Sequence, residues 1–146
     1  MKAFSIKSMV RPVMIGALLA LPFSSVQAGE KVVQTAIPAT NAAIWQSIDG
    51  AVADLRHTVE SGKLSDVHHH AFAIRDLVAA LPAHSGSLPA DKIAKVQASS
   101  KFVGILAERL DAAGDANDKA ATVANFQKLQ ELLKSIRENY DAAGTK

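Results

Sequence analysis

The chain has 146 residues, 49% of them apolar, with 16 Lys and Arg against 14 Asp and Glu, a formal charge of +2, and no cysteine. The missing cysteines exclude disulfide staples, thiolate metal sites, iron–sulfur clusters and thiol nucleophiles, so packing alone must hold the fold. The basic balance comes largely from the first 28 residues: without Lys2, Lys7 and Arg11 the remainder carries 13 basic against 14 acidic side chains, a formal −1, which gives no support to nucleic-acid or anionic-membrane binding.

Residues 1–28 read as a cleaved signal peptide. Lys2, Lys7 and Arg11 form the basic start, and an apolar run covers 13–21. Ser24-Ser25-Val26-Gln27-Ala28 then offers the small residues a signal peptidase reads, with cleavage after Ala28. The apolar run is shorter than the roughly 20 residues a membrane span needs, so no membrane span is expected after cleavage. Export without an anchor predicts a periplasmic protein. Residues 29–40 read as a leader, ending on Pro38 and a capping Thr40 or Asn41.

Four helices follow, with no stretch of strand-like alternation. The first is expected over 41–60, with a seam of Ile44, Ile48, Ala51, Leu55 and Thr58 flanked by Trp45, Val52 and Val59, and with Gly62 as its left-handed stop. The second runs over 64–81, with Leu64, Val67, Ala71, Ile74, Val78 and Leu81 spaced by alternating threes and fours. The third opens at Ser87 and Pro89 and ends at Gly114. Its expected seam is Ile93, Val96, Ser100, Val103, Ala107 and Leu110, with Phe102 and Leu106 beside it. Ser100 and Gly104 are expected to face a close neighbouring helix. The fourth is capped by Asp115 or Asn117 and buries Thr122, Phe126, Leu129, Leu133, Ile136 and Tyr140. Residues 142–146 are a tail. The expected fold is all-α: an up-down-up-down antiparallel four-helix bundle over 41–141, preceded by the signal peptide.

In the last helix, Leu133-Lys134-x-x-Arg137-x-x-Tyr140 resembles the pattern of the cytochrome b562 family, periplasmic haem-binding four-helix bundles. The Gly62-Lys63 turn and Arg75 fit the same layout. The resemblance implies the fold but not the haem. The family's histidine ligand follows the matching tyrosine, where this chain has Asp141. Its methionine ligand lies in the first helix, near the place of Ile48, and Met1, Met9 and Met14 all precede residue 29. Residues 69–78, of the form HxAFAIRDLV, are similar to a group of small exported bacterial proteins associated with heavy-metal efflux, and that resemblance implies metal handling.

His68, His69 and His70 are the chain's most distinctive run. Imidazole is a common ligand for copper, nickel and zinc. Neighbouring helical residues are separated by about 100° around the axis, so the three rings fan out and need help from elsewhere. His57 is expected near the same height on the first helix, and Asp66 lies close in sequence. The expected metal set is therefore His57, Asp66, His68, His69 and His70, while His84 belongs to the other end. The alternative is that these are ordinary surface histidines, with Asp66 paired to His70. Arg75 and Asp76 read as a surface ion pair. There is no GxSxG, HExxH or glycine-rich phosphate loop, so no enzyme is expected. Two functions stay open: a non-catalytic periplasmic accessory that binds Cu, Ni or Zn, or an adaptor bundle that binds a protein partner without metal. The expected state is a monomer or weak homodimer.

Overall fold

The structure, a computed structural model, describes residues 34–141. The proposed signal peptide, the first part of the leader and the tail lie outside the described residues. The described chain is all-helical, with α1 at Asn41–Glu60, α2 at Val67–Ala80, α3 at Ala90–Asp115 and α4 at Lys119–Asp141. Short 3-10 turns, Leu64–Asp66 and Leu81–His84, bracket α2. No strand occurs among the described residues.

The helix ends follow from local chemistry. Thr40 caps α1, its hydroxyl accepting from the Ala43 amide at 3.2 Å. At the other end Gly62 adopts φ 73°. The Lys63 amide then reaches the Thr58 carbonyl at 3.1 Å and the Gly62 amide that of Val59 at 3.2 Å, which is the Schellman closure. The same closure ends α3, with Asn117 at φ 51° in the role of the glycine. The Asp118 amide bonds to Ala113 O and that of Asn117 to Gly114 O, both at 2.9 Å. Asn117 is thus spent on stopping α3, and the cap of α4 falls one residue later. Asp118 Oδ1 accepts from the Ala121 amide at 2.9 Å, not Asp115 or Asn117 as the sequence suggested. Asp118→Ala is expected to cost about 1 kcal/mol of stability in urea denaturation, the usual value of a lost N-cap. Ser87 does not open α3 either. Pro89 stands before its first residue with extended backbone, φ −58° and ψ 149°, and no side-chain cap.

One apolar core joins all four helices. The expected seam of α2 is buried throughout, and Leu77 joins it. In α1 Ile44, Ile48, Leu55 and Thr58 are buried, and in α4 Thr122, Phe126, Leu129, Leu133 and Ile136. In α3, Val96, Val103, Leu106, Ala107 and Leu110 are buried, but Phe102 is 59% exposed and Ile105 43%. Leu106 fills the margin of the seam, and Phe102 lies about 40° further round the helix, past the edge of the core. Ser100 and Gly104 are only half-buried, and a Cβ on Gly104 would meet nothing. The close approach is instead at Gly114, where a Cβ would strike the carbonyl oxygen of Leu64.

Consecutive helices pack closely, whereas α1 and α4 touch far more sparingly. Gly114 against Leu64 brings the end of α3 to the start of the α2 segment. At the opposite end Ser85, only 2% exposed, joins three elements. Its hydroxyl donates to Leu81 O and accepts from Tyr140 Oη at 2.8 Å and Asn41 Nδ2 at 3.3 Å. One proton and two lone pairs are thereby all used. The leader's last residues dock on the same side: Thr35 Oγ1 donates to Asp76 Oδ2 at 3.1 Å, and His84 Nδ1 donates to Ala39 O at 3.1 Å.

Candidate functional site

The histidine run begins the first turn of α2, directly after the 3-10 turn that Gly114 supports. His68 Nδ1 lies 2.8 Å from Ser65 O. A carbonyl only accepts, so Nδ1 carries the proton and the Nε2 lone pair is left for another partner. The His68 and His69 rings lie 3.8 Å apart, centre to centre, tilted by 43°. His69 is exposed, and His68 and His70 are half-buried. Asp66 Oδ1 accepts from Ser65 Oγ at 3.2 Å rather than pairing with His70. His57 is exposed in the last turn of α1. Among the described residues no group of three or more His, Asp or Glu side chains is arranged to hold a metal ion. The end of the molecule therefore presents two adjacent imidazoles, one of them with its tautomer set by the backbone.

The other candidate feature is a groove of about 230 Å³ between α1 and α4. Its lining includes apolar Ile48, Val52 and Leu133 together with Trp45, Asp49 and Arg137. Arg137 bridges the two helices: Nη2 lies 2.6 Å from Asp49 Oδ1, and the guanidinium sits 4.3 Å over the Trp45 ring. Tyr140 meets that ring edge-on at 5.7 Å. The ion pair is exposed on both sides, so it adds little to stability by itself. Trp45 Nε1 is buried without a hydrogen-bond partner, alone in this among the described side-chain nitrogens and oxygens. The groove is smaller than the roughly 300 Å³ at which small-molecule pockets begin. Ile48 is buried hydrocarbon with no donor atom.

The meeting of Ser85 with Asn41 and Tyr140, and the Trp45–Arg137–Asp49 contact, were not foreseen from the sequence. Their partners lie 44 to 92 residues away along the chain, and no local pattern reports such a meeting. The Arg75–Asp76 pair forms as expected, at 2.8 Å and partly exposed, with Arg75 also 4.6 Å over Phe72.

The third feature is the outer side of α3, where Phe102 and Ile105 stand out of the core beside exposed Ala98. Together these features define a four-helix, bundle-like protein with an open seam, a histidine-bearing end and one apolar outer face. No protein-family model, no curated protein and no solved structure matches the chain.

Proposed function

We propose that this chain is an exported, non-catalytic accessory protein, an up-down-up-down antiparallel bundle that acts as an adaptor through the outer face of α3. One observation carries the reading: Phe102, 59% exposed, and Ile105, 43% exposed, lie together on a helix whose opposite side already fills the core. Large apolar side chains clustered in the open mark contact surfaces, whereas scattered ones need no explanation. The signal-peptide reading of residues 1–28 and the lack of a catalytic motif agree with a periplasmic accessory role. No helix among the described residues is long and apolar enough to cross a membrane.

The test is in-cell photo-crosslinking. A photo-crosslinking amino acid placed at Phe102 is expected to trap a partner, whereas the same group at Lys128, exposed on α4, traps none. Absence of any adduct from position 102 would overturn the adaptor reading.

A second reading has its own observation. The His68–Ser65 bond leaves Nε2 free beside the His69 ring, as outer partners do for metal-ligating histidines. On this reading His68 and His69 take up Cu(II), Ni(II) or Zn(II), with His70, His57 and Asp66 as the nearest further candidates. Calorimetric titration of tag-free protein is expected to show binding that weakens on acidification, because protonated imidazole cannot ligate. Replacing His68, His69 and His70 together with Gln removes it, and His84→Gln leaves it intact. Wild-type affinity weaker than about 100 µM, roughly −5.5 kcal/mol, would end this reading.

A further inference from the structure

Resting on the reading that α3 carries the contact face, we propose that the partner is a second copy of this chain, its α3 lying antiparallel on the first about a two-fold axis beside Gly104. The argument is one of register and charge. Phe102 and Ile105 are three residues apart and share one side of α3 within about 60° of arc. Ala94, Ala98 and Ala112 are exposed along the same side, and Arg109 is the long side chain that a second helix must fit beside. Lys101 and Glu108 are two turns apart and border one edge of this strip within about 20° of each other. Both are exposed. Neither takes part in an ion pair within the chain; among the described residues those are Arg75–Asp76 and Arg137–Asp49.

In an antiparallel pair about a two-fold axis, each edge of the strip meets the same edge of the other copy, running backwards. The midpoint of Phe102 and Ile105 and that of Lys101 and Glu108 lie one residue apart, about 1.5 Å along the helix. One axis therefore serves both sets. It brings Phe102 and Ile105 of the two copies together at the axis and sets Lys101 beside Glu108 of the second copy, the charged contact occurring twice. Arg109, within the strip about 20° from Phe102 around the helix, lies at the height of Ala98 of the second copy and meets no like charge. Parallel pairing about a two-fold axis would set this edge against the opposite edge of the strip and part Lys101 from Glu108 of the second copy, so the Lys101–Glu108 contacts favour the antiparallel arrangement. A single helix face per copy falls short of the roughly 800 Å² per partner of a stable interface. The dimer is accordingly weak, dependent on concentration, and weakened by salt.

Sedimentation equilibrium of the purified protein tests this. The average mass is expected to rise from one chain near 10 µM toward two near about 1 mM, a range set by the small interface. Phe102→Ser, an exposed change that leaves the core intact, holds the protein at one chain. Lys101→Glu and Glu108→Lys each weaken association by about tenfold, and the two together restore it to within about threefold. A wild type that stays single at about 1 mM, a Phe102→Ser variant that still associates, or a double variant that fails to recover would each overturn the self-pairing. If the wild type stays single while the crosslinker at Phe102 traps a different protein, self-pairing is wrong and the adaptor reading stands. No adduct at Phe102 removes both.

Discussion

Gly114→Ala is expected to destabilise the protein by about 1–2 kcal/mol, although alanine is the better helix former. Two effects of opposite sign meet at this position. Replacing a helical glycine by alanine ordinarily gains up to about 1 kcal/mol. Here the new methyl would overlap the carbonyl oxygen of Leu64 and would also sit 3.5 Å from Val67 Cβ. The obstacle is backbone in the 3-10 turn Leu64–Asp66, not the end of a pliable side chain. Either α3 backs away or the turn shifts, and overpacking of this kind typically costs 1–3 kcal/mol. The steric term wins. Gly104→Ala is the control, since a Cβ there meets nothing, and it should stabilise by up to about 1 kcal/mol. Urea denaturation followed by circular dichroism reads both. A Gly114→Ala variant as stable as wild type would show that α3 does not press on the turn. The result bears on the histidines as well, because that turn leads directly into His68.

Leu110→Ala is expected to cost about 3–4 kcal/mol, and Phe102→Ala no more than about 0.5 kcal/mol, although phenylalanine is the larger side chain. Leu110 is completely buried, on the side of α3 that faces the core, whereas Phe102 keeps 59% of its surface in water. Truncating a fully packed leucine removes its transfer free energy and leaves a cavity that neighbours fill only in part. Truncating Phe102 removes a side chain that folding leaves more than half in water. Denaturation midpoints of the two variants check the contrast at low protein concentration, where association through Phe102 plays no part. Similar losses at both positions would mean that α3 is turned differently about its axis.

Much of this was legible in the residues. The seam of α2 from Leu64 to Leu81 and that of α4 from Thr122 to Ile136 could be read directly, because a helix with one buried side repeats its apolar residues every three to four positions. Gly62 as the stop of α1 was legible for a local reason, since a left-handed residue suits glycine. The third helix was harder. Apolar residues recur on more than one side of α3, and Phe102 next to Val103 gives no internal sign of which lies outside. Burial depends on where α2 and α4 run, and the spacing within α3 does not contain that. The cap of α4 was displaced for a related reason: Asn117 suits both a cap and a left-handed stop, and only the observed backbone assigns it to the stop.

The histidine run was conspicuous in the sequence, and the fan of its three rings followed from helical rotation alone. That His68 bonds to Ser65 and lies against His69 required the shape of the turn before α2. By itself the sequence determined that the described chain is helical and where most of each buried seam runs, because periodicity and residue chemistry are local properties. Only the tertiary structure decided that Gly114 rather than Gly104 takes the close contact, that Ser85 joins Asn41 to Tyr140, and that Phe102 faces outward. Each of these depends on the distance between helices, which the packing of the whole core sets and no single stretch of residues encodes.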